Sequence, residues 1–568
     1  MNSRTHVTFD STSAMHDGQY NGPRDGYTFS PYRVEPLTDF SRAEARRAMD
    51  AALAQVAPQL GRTYPAIING QAVSTAATFD SLNPSHCKQV VGRCARSGPE
   101  QANEAVAAAK AAFPAWRDTE ATKRAEYLFR AAQVMRRRRF ELAAWQIYEC
   151  GKPRREADAD VAESIDYCEF YGREMLRLAQ PRRRDVPGEE NVYFYEPRGV
   201  TVVIAPWNFP MAILCGMTTA ALVTGNTVIM KPAEQSAVIG AKLMEVFEEI
   251  QLPPGVIAYL PGIGEEIGPV LVDHPDVAMI AFTGSRKVGL HINRQAAEVQ
   301  PGQEQIKRVL AEMGGKNAII IDDDADMDEA VHGVVASAFG YAGQKCSACS
   351  RVIVLEALHD VFVARLIEAT RSLKVAPAED PGCTIGPVID TEAYQRILNT
   401  IENGKNEGRL VYAGDAGALK NEGYFIAPHI FDDVAPTASI AQEEIFGPVL
   451  AVLRARDLDH ALEIANGTPY ALTGGLYSRS PEHIAHVKRA FRVGNLYINR
   501  KITGAIVDRQ PFGGFKMSGI GSKAGGPDYL LQFVLPRTIT ENTLRRGFAP
   551  DVEAAEIGPE IIRPRARL

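Results

Sequence analysis

The sequence predicts an α/β fold with two largely parallel sheets and a small additional β element. The first observation is a series of short Val/Ile runs alternating with helical stretches from Gly199 onward, VTVVIA, TVIM, VIAYL, VAMIAF and KNAIII. Such alternation marks βαβ units, whose open sheet receives ligands at the carboxyl ends of its strands. The second is a further series that starts near Arg351 with RVIVL and continues through VLAVL and NLYIN, which places a second α/β domain after about Gly314. The third is a Pro/Arg-rich junction over 180–188 and a late strand-like run, LLQFVL, which together suit a projecting sheet for self-association. A chain of 568 residues, 45% of them hydrophobic, accommodates about three to four domains of roughly 150 residues.

In chain order, residues 1–34 form a polar arm. It has no apolar core of signal-peptide length and carries Asp10, Asp17 and Asp25, so it reads as flexible and not as a targeting segment. Ser41 stands where an N-cap would start a helix running to Gln59; strands follow over 64–73, then Ala-rich helices over 99–113 and 122–148. The segment 199–230 contains no Asp, Glu, Lys or Arg, yet Pro206, Asn208, Pro210, Gly216, Gly225 and Asn226 interrupt it. It reads as buried strands joined by a helix, not as a membrane span. Residues 551–568 read as a tail.

A formal net charge of -7 argues against nucleic acid or an anionic membrane as a partner. The run of four arginines at 136–139 falls in a helical pattern and fits a solvated face. The eight cysteines are scattered and do not form the dense framework of a small secreted protein, so a reducing cytoplasm is expected.

Two of those cysteines, Cys346 and Cys349, stand in GYAGQKCSACSRVIV. Their spacing fits a redox disulfide, half a zinc site, or one nucleophile with a bystander. Zinc needs four ligands and no second CxxC exists, so no metal site is expected. A thioredoxin-like pair opens a helix directly after a strand, whereas here the YAGQK loop follows a helical run. Two thiols packed as small hydrophobes are the ordinary alternative.

Four other segments set the context. APWNFP, at 205–210, follows a buried strand, and its prolines stiffen the backbone around Asn208, whose amide suits an oxyanion hole. TVIMKPAEQS sets Lys231 and Glu234 past another strand end, where a cation and a carboxylate suit ribose hydroxyls. VIAYLPGIGEEIG runs a strand into GxGxxxG, which contains Gly264 and departs from the GxGxxG nucleotide spacing. IAFTGSRKVG puts Gly284 and Ser285 at a strand-to-helix turn, where free N–H groups suit a pyrophosphate. Each alone also fits an ordinary βα turn.

Taken in order and at these separations, APWNFP, KPAE, FTGS, AEMGGKN, GQKCSA, EEIFGPV and PFGGFKMSG resemble the NAD(P)-dependent aldehyde dehydrogenase superfamily. Within it the chain is most similar, from about Glu35 to about Pro550, to the branch that oxidises glutamate γ-semialdehyde. The resemblance implies an aldehyde dehydrogenase-like fold: a Rossmann-like NAD-binding domain from 35–180 and 199–313, a catalytic α/β domain over 314–522, and a small β oligomerisation element from 181–198 and 523–550. It implies Cys346 as the nucleophile, its thiolate favoured by the loop backbone and a helix end, with Cys349 one helical turn on as a bystander. Asn208 and the Cys346 N–H would hold the oxyanion, hydride would leave to the nicotinamide, and Glu312 would act as base for the water that hydrolyses the thioester.

The cofactor and substrate residues carry over in the same way. Ile204, Ala205, Pro206 and Trp207 would line the cofactor; Lys231 and Glu234 would meet the adenine ribose beside Gly264; Gly284 and Ser285 would meet the pyrophosphate; Glu444 and Phe446 would meet the nicotinamide ribose. Glu234 near a 2′-hydroxyl would repel a 2′-phosphate, so NAD is expected, with NADP as the weaker cofactor. Gly504 and Ala505 would bind the substrate α-carboxylate through backbone N–H groups, Phe209 and Phe512 would sandwich its aliphatic chain, Lys345 and Ser347 would flank the nucleophile, and Glu163 of EADADVAES would face the ammonium. Asp508 of AIVDRQ adds a charge near the Gly504 loop.

Glu312 argues against a CoA-acylating relative, in which a hydrolytic base is unnecessary. A broad-range aldehyde dehydrogenase and a silent NAD-binding relative are the alternatives. No room remains for a flavin-binding barrel of about 250 residues. The expected partners are therefore a small aldehyde, further copies of this chain, and a separately encoded proline dehydrogenase.

Overall fold

The computed structural model describes residues 30–544. Most of the arm (1–29), the end of the β element (545–550) and the tail (551–568) lie outside the described residues.

Five parallel strands form the centre of an eight-stranded sheet, in the spatial order Arg308–Glu312, Val277–Thr283, Val200–Ile204, Thr227–Lys231 and Ile257–Tyr259. Their apolar runs are continuous, not alternating, because both faces are buried. The sheet is mixed, since Gly519–Ile520 adds antiparallel at one edge and Ala66–Ile68 with Gln71–Val73 at the other. Register pairs Glu312 with Thr283, Phe282 with Ile204, and Ile204 with Lys231. The turns that follow these strands therefore leave the sheet side by side at one carboxyl edge.

A second, seven-stranded sheet runs Arg409–Ala413, His429–Asp432, Val449–Ala455, Cys349–Leu355, Asn317–Ile321, Thr473–Tyr477 and Asn495–Ile498, parallel except for its first pair. KNAIII, grouped by pattern with the first series, belongs to this second sheet. The chain crosses from Glu312, the last residue of one sheet's strand, to Asn317, the first of the other's, through only Met313, Gly314, Gly315 and Lys316. That short crossing brings the carboxyl edge of the first sheet against the start of the second. A separate three-stranded antiparallel sheet joins Arg182–Arg183, Glu189–Pro197 and Val534–Asn542.

Several elements differ from the pattern reading. Ser41 does not cap the first helix, which spans Ala43–Val56; its hydroxyl instead donates to Asp39 at 2.6 Å. The helical stretch over 122–148 is two helices, Ala121–Arg137 and Arg139–Cys150, broken where Arg138 leaves helical dihedrals. The acidic segment around Glu163 is part of a long, largely buried helix, Arg154–Leu178. LLQFVL is not one strand: Tyr529–Phe533 is a short 3-10 turn, and the strand begins at Val534. The 199–230 segment resolves into two strands around the helix Ala212–Val223, and no helix among the described residues is long and apolar enough to cross a membrane.

Candidate active site

The loop that carries Cys346 links the helix Met327–Phe339 to the strand Cys349–Leu355. Tyr341 and Ala342 both take left-handed dihedrals, φ 53°, and Gly343 follows at φ 71°. A Cβ on Gly343 would lie 2.3 Å from the Gly447 carbonyl oxygen, so only glycine fits this approach. Gln344 then ties the loop down, donating to the Pro387 carbonyl at 3.1 Å and accepting from the Ile389 N–H at 2.9 Å. Asn317 donates to the carbonyls of Cys346, at 2.7 Å, and Ala348, at 2.9 Å, and accepts from the Thr473 N–H at 2.9 Å. Cys349 is not a helical turn beyond Cys346, because the chain has entered a strand; its buried thiol donates to the Arg351 carbonyl at 3.2 Å.

Cys346 and Ser347 open onto a cavity of about 100 Å³ that Glu312 also lines. Phe209, Phe512, Gly504, Ala505 and Glu163 share its wall. Three tyrosines that the motif reading missed complete it: Tyr167 stacks on Tyr171 at 5.4 Å between centroids, and Tyr171 on Tyr529 at 5.5 Å. The i, i+4 spacing of Tyr167 and Tyr171 was the available signal. Gly216 makes room for them, since a Cβ there would sit 2.9 Å from the Tyr167 ring.

Burial governs the titratable groups of this cavity. It pushes the Cys346 thiol up to about 12, with Glu444 and Glu312 adding to the rise and the Ser347 N–H opposing it. The thiol is therefore held neutral, contrary to the expectation that loop and helix would favour the thiolate. Burial also lifts Glu312 up to about 8, against the pull of Lys523 and the Gly514 N–H. One Glu312 oxygen, Oε2, is buried with no protein hydrogen-bond partner. Glu163 is lifted up to about 8 by burial and by Asp160, while the Tyr167 hydroxyl donates to it at 3.1 Å.

Asn208 and Lys345 do not line this cavity. The Asn208 side-chain amide donates to the Gln344 carbonyl at 3.1 Å, which leaves its other N–H for a ligand beside the Cys346 loop. Lys345 is committed to Glu156, at 2.7 Å from both carboxylate oxygens. The Asn208 loop is itself anchored by a fully buried pair. Lys152 Nζ donates to Asp160 and to the Asn208 carbonyl, each at 2.7 Å, and lies 4.1 Å from the Phe209 ring centroid. The other Asp160 oxygen accepts from the Ala212 N–H at 2.6 Å.

The carboxyl edge of the first sheet gathers the cofactor candidates. Lys231 Nζ donates to Glu234 at 2.9 Å, and the same Glu234 oxygen accepts from the Gly264 N–H at 2.5 Å. The Ala205 N–H bonds the Lys231 carbonyl, so Ile204, Ala205 and Pro206 start beside that pair. The Gly284 N–H bonds the Glu312 carbonyl at 3.0 Å, and Ser285 caps the helix Arg286–Ala296. Glu444 accepts from the Gly315 N–H at 3.0 Å, and burial lifts its carboxyl up to about 7. A Cβ on Gly314 would lie 2.0 Å from Glu444, so the glycine pair of AEMGGKN admits that carboxyl. Phe446, at φ 56°, meets Trp207 edge to face at 5.5 Å. A carboxylate for ribose, a helix start for phosphate and an aromatic pair fit a nicotinamide dinucleotide. The His/Asp clusters Asp322–Asp323–His483 and His359–Asp432–Asp433 lie off the cavity and contain ion pairs.

Residues 72–539 match the Aldehyde dehydrogenase family. The chain is 52% identical over 512 residues to the 1-pyrroline-5-carboxylate dehydrogenase of Geobacillus kaustophilus (strain HTA426), covering 90% of this chain and 99% of that protein. It is 50% identical over 513 residues to 1-pyrroline-5-carboxylate dehydrogenase 2 of Bacillus subtilis (strain 168), with the same coverage. Among solved structures, the Thermus 1-pyrroline-5-carboxylate dehydrogenase with bound NAD matches at a TM-score of 0.89 and 50% identity, over 91% of this chain and 100% of that one. Proline utilization A (PutA) from Bdellovibrio bacteriovorus matches at a TM-score of 0.90 and 53% identity over 92% of this chain, which spans 54% of that protein's length. With the family matched across most of its length and close relatives matched nearly end to end, this chain belongs to the aldehyde dehydrogenase family.

Proposed function

We propose that the chain oxidises L-glutamate γ-semialdehyde, the open form of 1-pyrroline-5-carboxylate, to L-glutamate with NAD, the second step of proline catabolism. The observation that carries this reading is the shared cavity of Cys346 and Glu312, with a buried Glu312 oxygen left free. The names of the relatives at about 50% identity support the substrate, and the Thermus structure with bound NAD supports the cofactor.

The Cys346 thiol gives up its proton to solvent water as its sulfur adds to the aldehyde carbon. Asn208 and the Cys346 N–H hold the resulting oxyanion. NAD, when bound, accepts the hydride released as the thiohemiacetal collapses to a thioester. Glu312, as a carboxylate, takes a proton from the water that attacks the thioester, so the Cys346 sulfur leaves and glutamate is released. Lys231, Glu234 and Gly264 hold the adenine end of the cofactor, Gly284 and Ser285 its pyrophosphate, and Glu444 and Phe446 its nicotinamide half. Gly504 and Ala505 take the α-carboxylate, Phe209 and Phe512 flank the aliphatic chain, and Glu163 takes the ammonium. The enzyme works in the cytoplasm as a homo-oligomer built through the three-stranded sheet, supplied by a separate proline dehydrogenase.

The test is NADH formation from NAD and glutamate γ-semialdehyde, beside propanal and hexanal at equal concentration. Preference for the semialdehyde is expected. Equal rates would make this a broad-range aldehyde dehydrogenase, and no NADH from any of them would reject the activity.

A further inference from the structure

Lys523 is a cation that the mechanism above does not use. It lies in GIGSKAGG, half-buried, and its Nζ donates to three neutral oxygens: the Gly494 carbonyl at 2.6 Å, Asn495 Oδ1 at 2.8 Å and the Gly513 carbonyl at 2.9 Å. Among the described residues it forms no ion pair within 4.0 Å, so no carboxylate cancels its charge. The groups it binds form the wall against Glu312. A Cβ on Gly513 would lie 3.0 Å from Glu312 Oε1 and 3.4 Å from the Lys523 Cα, and one on Gly494 would lie 1.9 Å from the Gly513 carbonyl oxygen. Three backbone segments thus meet too closely for side chains, with a single ammonium bonded among them.

We infer that Lys523 is a positioning residue for the hydrolytic half of the reaction: its ammonium, bonded to the Gly513 carbonyl, fixes the wall beside Glu312 and sets a cation next to that carboxyl. The inference rests on the reading of Glu312 as the base for thioester hydrolysis. The other groups around Glu312 act against its ionisation or not at all. Cys346, on the nucleophile loop, and Tyr529, on the turn after the Gly513 segment, are each raised by the Glu312 charge. Glu163, on the long helix, lines the same cavity and is itself acidic. Against these and against burial stand, among the described residues, Lys523 and the Gly514 N–H. Lys523 supplies the charge and holds the neighbouring wall. Acylation of Cys346 needs no carboxylate form of Glu312, whereas hydrolysis does, so Lys523 acts on the second half-reaction.

Pre-steady-state NADH formation and the pH dependence of steady turnover, measured in Lys523→Met, Lys523→Arg and Asn495→Asp, test this. In Lys523→Met the first NADH per site is expected at a near-normal rate. The steady rate at about pH 7 is expected to fall roughly tenfold, and its pH limb to move roughly one unit alkaline. Lys523→Arg keeps the charge and is expected to restore the limb. Asn495→Asp puts a carboxylate against the ammonium and is expected to move the limb the same way with Lys523 in place, which keeps the test valid if Lys523→Met does not fold. An unmoved limb in the folded variants, or equal loss of first and steady turnover, overturns the inference. Glu312→Gln run alongside separates the two claims. If it keeps full steady turnover, the reading of Glu312 fails; if it stalls after one NADH while Lys523→Met and Asn495→Asp keep the wild-type limb, only the role of Lys523 fails.

Discussion

Asn317 holds the carbonyl of Cys346 at 2.7 Å, so the first residue of one strand fixes the loop that opens the next. The same amide group holds the Ala348 carbonyl, and the Asn317 side-chain oxygen is held by the Thr473 N–H. Replacing Asn317 with Leu keeps bulk but leaves loop carbonyls without donors, at about 1–3 kcal/mol each. If that energy appears as loss of alignment in the transition state, kcat falls about tenfold to a hundredfold, with NAD affinity little changed. Wild-type kcat in Asn317→Leu would separate the loop's position from this amide.

The two cysteines of CSAC occupy different environments, and the difference is measurable. Cys346 faces the cavity, whereas Cys349 is buried at the head of a strand with its thiol on the Arg351 carbonyl. Cys346→Ala is expected to abolish NADH formation. Cys349→Ala is expected to keep most of it and lose about 1 kcal/mol of stability, the size of a small buried truncation. Equal inactivation by both changes would point to a paired-thiol chemistry.

The family and the strand-end motifs of the candidate site were legible because their signals are local. APWNFP, KPAE, FTGS and AEMGGKN are each a strand end plus its turn, and Glu312, Ile204 and Lys231 reach one edge simply because parallel strands are in register. The helix Arg154–Leu178 was not legible for the opposite reason. Its acidic segment reads as a carboxylate source for the substrate ammonium, but Asp158 is held by Arg139 and by the Thr38 N–H 120 residues away, Asp160 by Lys152, and Asp166 by the Glu35 N–H 131 residues away. The Thr38 and Glu35 partners, that far along the chain, leave no mark in a local pattern. The state of the Cys346 thiol was misjudged similarly, since burial by several segments outweighs the single favourable N–H of its own loop.

Glu234 bridges Lys231 and Gly264, which makes it the pivot of the proposed adenine end. Lys231 is only 4% exposed, so removing its carboxylate partner leaves a nearly buried ammonium without compensation. Glu234→Ala is expected to weaken NAD binding by about tenfold, the loss of one hydrogen bond to a charged group. NADP binding is expected to weaken less or to improve, because a 2′-phosphate would then face Lys231 alone. An unchanged ratio of the two dissociation constants would remove Glu234 from cofactor selection.

Glu312 couples rate and stability to pH with opposite signs. Its carboxyl is lifted from 4.5 to about 8, by burial first and against Lys523 and the Gly514 N–H. A base must be deprotonated, so steady turnover is expected to rise with pH through about 8 and level off above it. For folding, the native state favours the protonated carboxyl. Its contribution is complete below 4.5 and is lost as pH rises from there to about 8, while the unfolded chain is already ionised. Glu312→Gln has no proton to lose. It is expected to yield at most one NADH per site and yet to melt above the wild type at about pH 8, with the gap narrowing as pH falls toward 4.5. Scanning calorimetry of both proteins across that window, beside single-turnover kinetics, measures the two effects together. A melting gap independent of pH would mean that Glu312 is not held protonated by the fold, and sustained turnover by Glu312→Gln would take it out of the hydrolytic step.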